Sequence, residues 1–472
     1  MKGVSTVRCV VGVDSSTQSC KVLAVDAGTG RVVAASSAAH PDGTAIDPHI
    51  WTSALHQAWD GAGIPALGAE VAAVSVAAQQ HGMVALDAAN EPVSDALLWN
   101  DIRSADDAQS MRDDLGAGAW VDAVNVVPVA SFTLTKLAWL ARCRPAAAAR
   151  VARVVLPHDW LNFQLTGRFT TDRSDASGTG YFSPVTDSYR PALLQRFFGR
   201  VPALPVVLGP SAQAGTVLPA WGLANAVLGA GAGDNAGAAL GLGLQPGEIV
   251  VSIGTSGTVF STSSVPTRDP SGQIAGFADA TGNHLPLLAM LNSARVMAAA
   301  AQMLQIDLPS LDALALTADP AAQGLLLLPY LDGERTPNLP AAHGSLLGLS
   351  RANMTAENVA RASVLGVLNS LADAIDRMKE HGVPAERVLL IGGGAKSRSL
   401  RQAAASVFGL PVEVPVANEY VALGAARQAV WAATGELPVW ERRIEASFEP
   451  DGGWGAEVRG RYIQARQTIY GV

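Results

Sequence analysis

Apolar positions along this chain follow two periods: short β-branched runs broken by polar turns, and longer stripes at three- and four-residue spacing. Val10 to Asp26, VVGVDSSTQSCKVLAVD, reads as two strands joined by a small hydroxyl-rich turn, a hairpin. Glu248 to Ser261, EIVVSIGTSGTVFS, reads the same way, with Asp14–Ser19 lying over Ser252–Gly257. A second echo pairs EVAAVSVAAQQHG (Glu70 to Gly82) with ERVLLIGGGAKS (Glu386 to Ser397), each a buried strand running into a tight loop. The repeats predict two similar α/β domains, residues 1–244 and 245–472, the second beginning near Gln245-Pro-Gly-Glu248. Helical stripes lie between the strands. One starts at Pro48 behind the N-cap Asp47; others cover Ala356 to Met378 and Asn418 to Ala433, the last with a face of small residues.

Length agrees with two domains, because 472 residues exceed what one core holds. A net charge of −8 removes the basic footprint of nucleic-acid or anionic-membrane binding. Cys9, Cys20 and Cys143 are dispersed, with no CxxC pair, which argues against a disulfide framework or structural zinc and fits a reducing cytoplasm. The N-terminus lacks the long apolar core of a signal peptide. Val201 to Gly233 is uncharged, but four prolines interrupt it, so it does not read as a membrane helix.

The candidate chemistry sits in the turns. Successive backbone N–H groups in Gly254-Thr255-Ser256-Gly257 can form a nest for phosphate oxygens; the same residues also make an ordinary tight hairpin. In the first turn, Asp14 stands beside Ser16 and Thr17. A carboxylate next to a phosphate nest is repulsive unless a hard cation such as Mg²⁺ lies between them. Gly392-Gly393-Gly394, followed by Ala395 and Ser397, suggests close approach to the backbone, as by an adenosine. The stretch GAGDNAGAALG isolates one carboxylate, Asp234, and one amide, Asn235, with Arg200 and Glu248 the nearest charges in sequence.

These segments resemble the FGGY carbohydrate kinases, and among them most closely the xylulose-phosphorylating members. The resemblance runs nearly end to end and rests on the order of AQQHGMV, WNDIRS, GAGDNAGAA, IGTSGTV, LPYLDGERTP and IGGGAKS. It implies two ribonuclease H-like domains, of the actin and sugar-kinase ATPase type, around a deep cleft. Asp234 would be the general base, Asp14 the acid near Mg²⁺ and the ATP phosphates, and Thr255 with its neighbours the second phosphate loop. Gln80 and His81 would contact the sugar, with Trp99, Asn100, Asp101, Arg103 and Asn235 around the same pocket. Asp101 and Arg103 are expected to pair and brace their loop, and Glu334-Arg335 to be architectural. Trp99 is equally consistent with stacking on a sugar or with core packing.

Two positions depart from the family pattern. Ala232 stands where GGGD is frequent, and Leu365 where a Glu is common; if that Glu bridges domains, closure would differ here. The implied reaction is ATP-dependent phosphorylation of D-xylulose to the 5-phosphate, in the cytoplasm, and analogy with such families adds a homodimer. The alternatives are another pentulose, a hexulose, a polyol or gluconate, or a non-catalytic nucleotide switch or sugar sensor. Gluconate ranks low because the sequence offers only Arg103 as a cation near Gln80-His81.

Overall fold

The computed structural model describes residues 8–472 and contains two seven-stranded mixed sheets. The first runs Gln213–Thr216, Val227–Gly229, Val71–Ala78, Cys9–Ser15, Ser19–Asp26, Val32–Ala39, with Ala232–Gly233 also beside Val71–Ala78. The second runs Ala275–Ala278, His284–Met290, Gly257–Ser261, Glu248–Ile253, Arg387–Ile391, Val412–Pro415, Ile444–Phe448. Both predicted hairpins are present, and each first strand has a parallel neighbour made from the second echo. The overlay is one residue out. Ser15 pairs with Cys20 across four residues, whereas Ile253 pairs with Gly257 across three.

Strand direction decides where chemistry can occur. In parallel register Ser15 lies opposite Ala78, and Ala78 opposite Gly233, so Asp14, Gln79 to His81 and Asp234 emerge at one edge of the first sheet. That is the carboxyl-end edge where open α/β sheets bind ligands. In the second sheet Ser252 lies opposite Ile391, which brings the turns after Ile253 and Ile391 side by side.

The predicted helices form at Pro48–Gly61, capped by Asp47 onto the His49 N–H, at Ala356–Glu380 and at Tyr420–Thr434. The last of these is late in the chain, yet it covers the first sheet. Ala422, Ala426 and Ala429 share a core with Val10, Leu23, Val25 and Ala73. Its small face lies against helix Asp234–Leu242, whose Ala236, Ala239 and Leu242 share a core with Val250, Phe260 and Leu389 of the second sheet. A β-carbon on Gly424 would sit 1.9 Å from the Gly237 carbonyl oxygen, so only glycine permits this crossing. Leu365 is buried in the second core on helix Ala356–Glu380, so this position makes no bridge between domains. Cys9 and Cys20 are buried, Cys143 is exposed, and all three are free. Among the described residues no helix is long and apolar enough to cross a membrane.

Candidate active site

Asp234 is set at the first turn of helix Asp234–Leu242 by the strand just before it. The approach is crowded. A β-carbon on Gly233 would lie 2.5 Å from the Gln80 side chain, and one on Gly231, where φ is +90°, would strike His158. Gln428, from the late helix, fixes this turn with both ends of its amide. Its Oε1 accepts from the Gly231 N–H (2.7 Å) and from Ser75 Oγ (2.7 Å), and its Nε2 donates to the Gly231 carbonyl (2.8 Å). Asp234 Oδ1 accepts from both the N–H and Nδ2 of Asn235, each at 2.8 Å. Loss of solvation pushes this half-buried carboxyl up to about 7; the Asn235 bonds oppose the rise and the charge of Asp14 adds to it.

Asp14 is buried at the end of strand Cys9–Ser15. Burial raises it to about 6, although Ser16 Oγ donates to its Oδ1 and Lys21 Nζ stands 3.8 Å from its Oδ2. Lys21 is shared with Glu419, at 2.5 Å. Thr17 Oγ1 accepts from Trp99 Nε1 (2.8 Å), which ties the loop expected to meet the sugar to the first phosphate turn.

Gln80 is buried and donates through Nε2 to the Ser174 carbonyl (2.9 Å). His81 adopts φ +70°, and its Nδ1 lies 2.8 Å from the Gly178 carbonyl. A carbonyl only accepts, so Nδ1 carries the proton and Nε2 is an acceptor. Burial lowers the ring to about 3, and the charges of Lys136 and Arg335 push the same way, so it is neutral. The ring centroid is 5.1 Å from Phe132 and 5.4 Å from Phe277. Asp101 and Arg103 pair as expected, Nε to Oδ1 at 2.7 Å, and Thr44 Oγ1 donates to the other oxygen at 2.8 Å. Asn100 Nδ2 reaches the Gly43 carbonyl at 3.4 Å. The count of one nearby cation is corrected: folding brings Lys136 and Arg335 to His81 from distant segments, and Arg103 is spent on Asp101. Glu334 is buried and accepts from the N–H of Leu291, Asn292 and Arg335, an architectural role.

Sequence reasoning passed over the hub of this site, the turn of helix Arg173–Ser177 behind its cap Asp172. Ser174 accepts from Gln80 at its carbonyl and from the Gly233 N–H at its hydroxyl (3.0 Å), and Ser177 Oγ accepts from Ala278 of the second sheet (3.0 Å). The signal was present: Asp172-x-x-Asp175 is an N-cap pattern, and Asp172 accepts from the N–H groups of Ser174 and Asp175. Beneath it lies a buried group of His158, Asp159 and Asp175. His158 Nδ1 is 3.0 Å from Asp159 Oδ1, and its Nε2 is 3.0 Å from the Ala230 carbonyl. Burial opposes a charge on this ring, but Asp159 and its neighbours win and raise it. The cluster is a compensated ion pair, with Asp175 driven toward its neutral form by burial and then by Asp159, Asp172 and Asp234.

On the second sheet, Gly254 and Thr255 are exposed at the hairpin tip, Ser256 is half-buried and Gly257 is buried. Ala294 N–H donates to the Gly254 carbonyl (3.1 Å), and the neighbouring Ser293 Oγ is buried without a partner among the described residues. The glycine triplet has a packing cause as well as the ligand approach expected for it. β-Carbons on Gly392 and Gly394 would collide with Ile253, at 2.6 and 2.2 Å, so these two glycines let the adjacent turn approach. Only Gly393 faces open space. Ala395 is buried, and Ser397 caps helix Arg398–Phe408 while donating to Asp312 at 2.5 Å.

Residues 9–241 match the family model described as the N-terminal domain of the FGGY family of carbohydrate kinases, and residues 249–433 match its C-terminal domain. A xylulose kinase of Streptomyces coelicolor is 47% identical, covering 90% of this chain and 88% of that protein. A xylulose kinase of Streptomyces rubiginosus is 45% identical over 93% of this chain and 92% of its own. The crystal structure of a xylulose kinase from Bifidobacterium adolescentis superposes with a TM-score of 0.91 at 40% identity, over 98% of this chain and all of that one. The two-sheet architecture is thus the ribonuclease H-like, actin-type ATPase fold.

Proposed function

The chain belongs to the FGGY family of carbohydrate kinases and is a phosphotransferase acting on a sugar hydroxyl with ATP as donor; on that premise we propose that it converts D-xylulose to D-xylulose 5-phosphate, with Asp234 as general base. The observation that carries the base assignment is a half-open carboxyl raised to about 7, at the sheet edge that also bears Asp14 and Gln80-His81. The sugar follows from relatives at 45–47% identity across nearly the whole chain. Arg103 is held by Asp101, while Lys136 and Arg335 stand near His81, so gluconate stays among the substrates to be tested.

Asp234 Oδ1 is engaged by Asn235, which leaves Oδ2 to accept the hydroxyl proton as the oxygen attacks the γ-phosphorus in line. A carboxyl near 7 is ionised often enough to act and basic enough to take the proton. Gln80 contributes its Oε1 and His81 its Nε2 toward the sugar, with Trp99, Asn100, Asp101, Arg103 and Asn235 framing the pocket. Ser16, Thr17 and Gly254 to Gly257 hold the phosphates, and Gly392 to Ala395 with Ser397 lie on the adenosine side. Asp14 would hold Mg²⁺: the ion suits this place because a cation beside Asp14 would offset the charge that disfavours ionisation of Asp234. When bound, Mg²⁺ supplies neutralisation of the β- and γ-phosphate charge. The division between domains falls at 244/245, between the helix ending at Leu242 and the strand starting at Glu248. The free cysteines fit a cytoplasmic setting, and a homodimer follows by family analogy, to be checked by light scattering.

The test is coupled ADP release across pentuloses, hexuloses, polyols and gluconate. D-xylulose should give the highest kcat/KM. Asp234→Ala should still bind the sugar by calorimetry while kcat falls by about 10²–10⁴. Turnover near that of the wild type would remove Asp234 as base, and preference for another sugar would remove the xylulose assignment alone.

A further inference from the structure

A buried amine stands behind the His81 turn with no ion-pair partner among the described residues. Lys136, in the first turn of helix Thr133–Cys143, is wholly buried. Among the described residues no carboxylate lies within ion-pair distance of it. Its ammonium donates to two main-chain carbonyls, His81 at 2.8 Å and Ser131 at 2.6 Å. A Met or Leu would fill the same volume without the cost of burying a charge. The placement therefore needs a use.

The use lies in what the His81 carbonyl belongs to. His81 is one of few non-glycine residues here with positive φ, a conformation that L-residues adopt only when their surroundings hold them. Lys136 Nζ and Thr133 Oγ1 (3.3 Å) both point at its carbonyl, while the Gly178 carbonyl holds its ring by Nδ1. The peptide and the imidazole are thus gripped from opposite ends. Gly178 must be glycine for the second grip, because a β-carbon there would lie 2.4 Å from His81 Nδ1.

We propose that Lys136 is a positioning residue for the acceptor sugar, clamping the strained His81 peptide so that the neutral ring presents Nε2 as a hydrogen-bond acceptor to a sugar hydroxyl. The unneutralised ammonium also disfavours protonation of that ring, which would turn the acceptor into a donor. Around His81 the charged groups are Lys136 and Arg335, with Asp101 the acid that acts on Lys136. Burial brings Lys136 itself down to about 7, so the clamp operates between charged and neutral amine near physiological pH, and both forms donate.

This inference rests on the reading of His81 as a sugar contact, and the experiment separates the two. Lys136→Met should raise KM for D-xylulose about tenfold, the loss of one charge-assisted hydrogen bond, with kcat and KM for ATP within about threefold. In ¹⁵N-histidine spectra of that variant, the His81 titration should move to higher pH. His81→Ala is the control for the site: if it leaves the sugar KM unchanged, the sugar-contact reading fails whatever Lys136 does. If His81→Ala raises KM while a folded Lys136→Met changes neither KM nor the His81 titration, the clamp is overturned. Should Lys136→Met not fold, Lys136→Gln takes its place under the same criteria. If neither folds, the lysine supports the core and not the sugar loop, and the proposal falls.

Discussion

At the scale of the residue, the site works by withholding solvent from acids. Asp234 and Asp14 are raised to about 7 and about 6 chiefly because burial penalises their charge; the charge of Asp14 adds to the rise of Asp234, and that of Glu419 to the rise of Asp14. If Asp234 is the base, kcat/KM should fall on the acid side with an apparent pKa near 7, because the protonated carboxyl cannot accept the hydroxyl proton. A profile flat from pH 5.5 to 8 would contradict this. The same shift acts on stability. A carboxyl raised in the folded state from 3.8 favours folding at low pH and loses that contribution as pH rises through its folded value. Asp234→Asn should therefore melt a few degrees above the parent at pH 8, with the difference closing as pH falls toward 4. Equal melting temperatures at both pH values would show that the charge is already compensated.

At the scale of the element, two helices pressed together by small residues hold the site. Tyr420–Thr434 and Asp234–Leu242 cross so closely that β-carbons on Gly424 and Gly241 would each lie 1.9 Å from a carbonyl oxygen of the other helix. Gln428 on the first of these helices also grips the turn before Asp234. Gly424→Ala should lower the unfolding free energy by about 3 kcal/mol, measured in urea, as overpacking forces the backbones apart. It should also reduce kcat, because Asp234 begins the helix that moves. A variant as stable and active as the parent would mean that the pair can separate freely.

At the scale of the molecule, the chain is cross-stitched. The helix that covers the first sheet arrives after the second sheet is nearly complete, and Ala278 of the second sheet donates to Ser177 of the first half. Residues 1–244 expressed alone should expose Val10, Leu23, Val25 and Ala73 and elute as aggregate in size-exclusion chromatography. Co-expression with 245–472 should recover a single folded species. A monodisperse first half would show that its sheet needs no late helix.

Local pattern was enough for the strands, both hairpins and the three helices, because hydrophobic periodicity and caps are properties of neighbouring residues. It was enough, too, to single out Asp234, since isolation among glycines and alanines is visible along the chain. What needed three dimensions was every feature built from distant segments. Asp172 to Gly178 became the hub only when Gln80, Gly233 and Ala278 met it, and Lys136 and Arg335 became neighbours of His81 only on folding. The glycines at 392 and 394 gained a second reason on folding, the close approach of Ile253. Periodicity and turn chemistry are short-ranged and survive in the linear chain. Burial, field and close contact are long-ranged, and exist only once the two sheets enclose the helices between them.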